Sequence, residues 1–163
     1  MHHDTFATVV ARVAARLTDR GYRLVTAESC TGGWLAEVVT SVSGSSDWFE
    51  RGFVTYSNES KKELLGVRTE TITRHGAVSG ETAREMAAGA LEHSRAQIAV
   101  AITGVAGPTG GTKEKPVGMV CFAWAQRGGE AESTTRRFAG DRESVRRQSV
   151  ITALQGLIER LET

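Results

Sequence analysis

The run Gln97-Ile98-Ala99-Val100-Ala101-Ile102 restricts the fold of this chain more than any other stretch. A strand with one wet face alternates apolar and polar residues, and this run does not. It reads as a central strand covered on both faces. The segments around it supply the cover. Phe6, Val9, Val10, Val13, Ala14 and Leu17 recur at helical spacing, with Asp4 as the expected N-cap and Gly21 just beyond the end. A short strand is expected over residues 23–27 and a helix over 31–40. Trp48 and Phe49 follow a serine-rich loop and are expected to pin it to the core. Residues 52–56 read as a second strand. Ser57 and Asn58 offer capping chemistry for a helix over 59–65, stopped by Gly66.

Residues 67–75 read as irregular or as a short helical turn. A helix opens at Ser79 or Gly80 and runs to about residue 93. Strands are expected over 97–102, 117–125 and 131–138, the last two joined by a turn at Gln126-Arg127-Gly128-Gly129. Asp141 caps a final helix whose core stripe is Val145, Val150, Ile151, Leu154, Leu157, Ile158 and Leu161. The order α-β-α-β-α-α-β-β-β-α predicts a three-layer α/β/α sandwich. Its five-stranded sheet is mixed and mostly parallel, with the hairpin supplying an antiparallel strand. At 163 residues the chain is expected to form a single domain, 1–163.

Charge excludes one class of partner. Twenty basic residues face nineteen acidic ones, a balance that argues against a nucleic-acid binder relying on bulk charge. No segment approaches the roughly 20 apolar residues of a membrane span, and the N-terminus lacks a signal-peptide core. Two cysteines, Cys30 and Cys121, do not make a disulfide framework. The expectation is a soluble cytoplasmic protein. Met1, His2 and His3 read as a disordered terminus rather than a metal cluster.

The chemistry centres on Thr26-Ala27-Glu28-Ser29-Cys30-Thr31-Gly32-Gly33. This small, polar stretch joins a strand to a helix, where backbone N–H groups and a helix dipole meet side-chain hydroxyls. Ser29 is a candidate nucleophile, though Ser29 or Thr31 would equally serve as a helix cap. Cys30 is the rival, because a thiol at a helix N-terminus is readily ionised; a buried apolar role is open to it too. Lys61 and Lys62 stand in the first turns of a helix, where the dipole lowers a lysine pKa and burial lowers it further. A neutral lysine can act as a general base, and Tyr56 could orient it. Composition does not choose between the two lysines. Thr103, Gly104 and the glycines that follow could donate to an oxyanion or a phosphate. Arg136, Arg137, Arg142, Arg146 and Arg147 form a basic cluster, of which one could clamp a phosphate. Glu28 and Asp141 are separate carboxylates with no metal pattern around them.

Many of these motifs together resemble the CinA C-terminal domain family of competence/damage-inducible proteins. They are residues 27–33, Gly44-Ser45-Ser46, Tyr56-Ser57-Asn58 with Lys61, Leu65-Gly66-Val67 and residues 75–79. Thr103-Gly104-Val105-Ala106-Gly107-Pro108, Gly110-Gly111, residues 114–118 and Gly140-Asp141-Arg142 complete the match. It covers nearly the whole chain. Val105 and Thr109 depart from the usual residues without touching the proposed chemistry. Stand-alone family members are nicotinamide-nucleotide amidohydrolases. The resemblance implies hydrolysis of nicotinamide mononucleotide to nicotinic acid mononucleotide and ammonia, a step of pyridine-nucleotide salvage. It implies a catalytic Ser29 with Lys61 and Tyr56, and so selects Lys61 over Lys62. Substrate contacts are expected from Thr31, Gly32, Thr103, Gly104 and Arg142. No metal or other cofactor is expected, and a homo-oligomer is. Longer members carry an N-terminal domain linked to a nucleotide pyrophosphatase activity. These 163 residues have no room for it, so that activity is expected to be absent. The alternative reading is a nucleotide-binding or regulatory module without turnover.

Overall fold

The computed structural model describes residues 5–163, so Asp4 and the histidines at 2 and 3 lie outside the described residues. The first helix, α1 (Phe6–Arg20), is capped by Thr5, whose hydroxyl accepts from the Thr8 amide, and it stops at the left-handed Gly21. Then come β1 (Leu24–Glu28), α2 (Trp34–Thr40), a 3-10 turn (Ser45–Asp47) and β2 (Phe49–Val54). Three helices follow: α3 (Asn58–Leu65), α4 (Thr69–His75) and α5 (Gly80–Glu92). The chain finishes with β3 (Ile98–Gly104), β4 (Met119–Gln126), β5 (Glu132–Arg137) and α6 (Arg142–Leu161).

The strands form one sheet in the order β2-β1-β3-β4-β5. β1 pairs in parallel with β2 and β3, while β4 pairs antiparallel with β3 and β5. Four strands therefore share one direction, and β4 runs against them. β3 is central and buried along its length up to Gly104, as its apolar run requires.

The sheet is covered on both faces. One face carries Leu24, Ile98, Val100, Ile102, Phe122 and Trp124 against α1, α2 and α6. The other carries Val25 and a set of alanines, among them Ala27, Ala99, Ala101 and Ala123, against α5 and the end of α3. Small residues let α5 lie close. A Cβ at Gly89 would stand 1.8 Å from the Leu65 carbonyl oxygen, so α3 and α5 touch backbone to backbone there. That contact fixes α3, which carries the residues of the site.

Several boundaries differ from the sequence reading: β3 runs on through Thr103 and Gly104, which pair with Cys121 and Val120, and β4 begins only at Met119. α2 begins at Trp34 rather than Thr31, because Gly32 and Gly33 take left-handed φ values of 59° and 100°. Those angles break a right-handed helix. β2 begins at Phe49 and ends at Val54, in register with Leu24 to Glu28 of β1, so Thr55 and Tyr56 leave the strand. Residues 69–75 form a complete short helix. Trp48 is buried in the core, and Phe49 packs against it from the edge.

Candidate active site

β1 points Ser29 at the site. Its amide continues the sheet pairing one residue past the strand by donating to the Ile102 carbonyl at 3.0 Å. The chain then turns through residues 29–33 into α2. Glu28, fully buried, closes that turn from inside. Its carboxyl group accepts from the Thr31 hydroxyl (2.6 Å), the Leu35 amide (2.9 Å) and the Ala36 amide (3.1 Å). Gly33 has no side chain with which to cap α2. Glu28 satisfies the second and third amides of the helix in its place. Arg146 of α6 holds the same turn from outside, donating to the Cys30 carbonyl at 3.1 Å and the Thr31 carbonyl at 3.0 Å.

Lys61 comes from the first turn of α3, a helix capped by the Ser57 hydroxyl. It is 1% exposed. Its Nζ donates to Ser29 Oγ at 2.9 Å, to the Thr55 carbonyl at 2.8 Å and to the Tyr56 carbonyl at 3.4 Å. Burial pulls its pKa down from 10.5 to about 8. A neutral amine keeps two N–H donors and one lone pair. Two carbonyls take the donors, and the lone pair is left for the Ser29 hydroxyl. Lys62, one residue on, is more open and pairs with Glu59 at 3.3 Å. Geometry thus separates two lysines that composition could not.

Cys30 is buried in the core, and burial pushes its thiol up to about 12. It stays protonated near neutral pH and is a poor nucleophile there.

Ser29, Cys30, Tyr56, Lys61, Thr103, Gly104 and Arg142 all line one cavity of about 340 Å³, together with Asn58, Ala77, Val78 and residues 105–107, 109 and 110 of the following loop. Four segments that follow strand ends therefore converge. Thr103 is buried and donates to the Ala77 carbonyl at 2.8 Å, tying the α4–α5 connection to β3. A Cβ at Gly104 would come within 2.8 Å of Val120 and 2.9 Å of the Met119 carbonyl oxygen, so only glycine fits that wall. Arg142, the first residue of α6, donates to the Gly107 carbonyl at 2.8 Å and to the Tyr56 hydroxyl at 3.1 Å. Tyr56 is 62% exposed, and its hydroxyl is joined to Arg142 rather than to Lys61 or Ser29. Its backbone carbonyl is what reaches Lys61.

Thr31 and Gly32 stand apart from this cavity. The Thr31 hydroxyl is spent on Glu28, and Gly32 faces a neighbouring groove with Gly33, Trp34 and Arg146, which shares Arg142 with the cavity. Of the basic cluster, Arg136 and Arg137 lie exposed on the edge strand β5, and Arg147 stacks on the Phe6 ring at 4.6 Å. Asp141 caps α6 through the Ser144 amide. Sequence reasoning missed two roles. Asn58 reads as capping chemistry and as part of the Tyr56-Ser57-Asn58 motif, with no site role, yet it lines the cavity. Glu28 is read correctly only when the helix N-terminus folds back over it. Among the described residues, no group of His, Cys, Asp and Glu is arranged to hold a metal ion.

Comparison with known proteins adds an independent line. The CinA C-terminal domain matches residues 6–161. The nicotinamide-nucleotide amidohydrolase PncC of Escherichia coli K12 is 56% identical over 146 residues, covering 90% of this chain and 88% of the relative. The protein of the same name from Pseudomonas putida is 49% identical over 156 residues, covering 96% and 97%. The crystal structure of the competence/damage inducible protein CihA from Agrobacterium tumefaciens superposes with a TM-score of 0.94 at 45% identity, over 100% of this chain and 99% of that one. A match along nearly the whole chain is decisive: the chain belongs to the CinA C-terminal domain family.

Proposed function

We propose that this protein hydrolyses the carboxamide of nicotinamide mononucleotide, giving nicotinic acid mononucleotide and ammonia, as a step of pyridine-nucleotide salvage. The names of its relatives in E. coli and P. putida support the reaction. The observation that carries the mechanism is the 2.9 Å contact between Ser29 Oγ and the buried Lys61 Nζ.

Neutral Lys61 takes the Ser29 proton as Ser29 Oγ bonds to the carboxamide carbon. The carbonyl oxygen becomes an oxyanion, held by backbone amides of the surrounding turn and loop. Each such donor contributes about 2.7–4 kcal/mol in characterised sites. Collapse breaks the C–N bond, and the Lys61 ammonium returns its proton to the leaving nitrogen. Water then attacks the acyl-enzyme with Lys61 again as base, and the carboxylate product is released with Ser29 restored. Tyr56 assists through its carbonyl, which accepts from Lys61, and through its hydroxyl, which accepts from Arg142. Arg142 and the glycine-rich wall from Gly104 to Gly110 would receive the ribose phosphate.

Ammonia release from nicotinamide mononucleotide tests the reading. The wild-type protein is expected to turn over, and Ser29→Ala to lose about a thousandfold or more. Full activity in Ser29→Ala would remove the serine from the mechanism. Loss on Cys30→Ser with Ser29→Ala intact would transfer the role to the thiol.

A further inference from the structure

Most polar side chains on the cavity wall are already engaged. Ser29 and Lys61 hold each other, Thr103 donates to Ala77, and Arg142 spans Gly107 and Tyr56. Two lining side chains, Asn58 and Thr109, form no hydrogen bond among the described residues. Thr109 offers a hydroxyl from the loop. Asn58 offers a full amide from α3, the same helix that carries Lys61.

The spacing matters. Residues three apart on a helix share a face and are neighbours, about 5–6 Å between Cβ atoms. Helical side chains also lean toward the N-terminus. Asn58 therefore stands one turn beyond Lys61, in the direction in which the Lys61 side chain reaches Ser29. An asparagine side chain presents one carbonyl acceptor and an –NH2 donor pair. A substrate carboxamide presents the same set in reverse order. The capping role near the start of α3 is already filled by the Ser57 hydroxyl, which accepts from the Ser60 amide at 3.1 Å. The Asn58 amide is thus free to meet a ligand.

We propose that Asn58 is a substrate-contact residue that orients the carboxamide over Ser29. Its Nδ2 donates to the substrate carbonyl or its Oδ1 accepts from the substrate amide, one bond or both. This rests on the amidohydrolase reading above and deepens it. The residue binds and orients; it moves no proton.

The test separates the two readings by measuring binding without turnover. Calorimetry with nicotinamide mononucleotide is run on Ser29→Ala and on Ser29→Ala/Asn58→Ala. The second variant is expected to bind at least about tenfold more weakly, the scale of one or two lost neutral hydrogen bonds. In the otherwise native protein, Asn58→Ala is expected to lower kcat/KM for ammonia release by about tenfold or more. Labelling of Ser29 by a small fluorophosphonate is expected to stay within about twofold of wild type, because the Ser29–Lys61 pair is untouched. Asn58→Asp keeps the acceptor, loses the donor and adds negative charge. It is expected to weaken binding of nicotinic acid mononucleotide, a carboxylate, more than that of nicotinamide mononucleotide. Equal affinity of the two calorimetry variants overturns the proposal. So does a loss of fluorophosphonate labelling in step with activity, which would mark Asn58 as structural. A wild-type protein that binds but does not turn over would sink the amidohydrolase reading, and the binding comparison would still decide Asn58. Absence of binding by Ser29→Ala would sink both.

Discussion

The N-terminal turns of α2 and α3 follow two neighbouring parallel strands, β1 and β2, and they end up with opposite duties. At α2 the free amides are met from within. Glu28 fills the positive end of the helix, and Arg146 braces the preceding carbonyls. The Leu35 and Ala36 amides are therefore taken, although sequence alone would nominate such a helix start for an anion. At α3 a serine hydroxyl does the capping, so the rest of the first turn is free to face the cavity with Lys61 and Asn58. One strand end presents Ser29, the proposed nucleophile, and the other leads to Lys61, the proposed base. Both turns bury an ionisable side chain, and at the second that burial lowers the lysine pKa.

The contrast can be broken at its strongest point. Lys61→Met is expected to lower kcat for ammonia release by about 10²- to 10⁴-fold, the range of a lost general base. A variant that keeps near-native turnover would show that α3 does no chemistry.

Acidity gives the next largest effect. Because Lys61 must be neutral, kcat/KM is expected to climb about tenfold per pH unit below the lysine pKa of about 8 and to flatten above it. The same shift has a stability consequence of definite sign. Between about pH 8 and the ordinary value near 10.5, the unfolded chain holds a proton that the folded chain has released. Stability gains from rising pH in that window, and Lys61→Met should remove the gain. Paired urea titrations of the two proteins between pH 7.5 and 9 would read it, because the opposing contribution of Cys30, whose thiol burial pushes up to about 12, is common to both.

Glu28→Gln probes the other turn. A glutamine can keep its oxygen toward Thr31 and Leu35 but presents an –NH2 to the Ala36 amide. We expect a loss of about 1–3 kcal/mol in unfolding free energy. A stability equal to wild type would mean that α2 needs no internal cap. Tyr56→Phe removes the hydroxyl that receives Arg142 and leaves the carbonyl that receives Lys61. A modest rise in KM of a few-fold with nearly unchanged kcat is expected. A collapse of kcat would instead place the phenol in the proton transfer. Lys62→Met, which loses only an exposed pair with Glu59, is expected to change activity less than twofold.

Much of the architecture was legible beforehand because it rests on periodicity. The unbroken apolar run before Thr103 demanded a central strand, and the stripes of α1 and α6 demanded a core face. Gly21 and Gly66 mark helix ends for a local reason, since each adopts a left-handed backbone. The start of α2 was less legible. Glycines at 32 and 33 read as permissive first-turn residues, but their positive φ values hold them outside the helix. Thr31 and Gly32 looked like substrate contacts for the same reason that any strand–helix junction does. Only the folded chain shows Glu28 occupying that position.

By itself the sequence determined the layered α/β plan, the segments at the strand ends and a short set of candidate side chains, because spacing and residue type are local properties. Tertiary structure alone showed which of two adjacent lysines is buried against Ser29, that Cys30 stays a thiol and that the Tyr56 hydroxyl belongs to Arg142. Each of those depends on burial and on a partner far along the chain, 32 residues between Ser29 and Lys61 and 86 between Tyr56 and Arg142. No local pattern encodes how far a side chain has been taken from water.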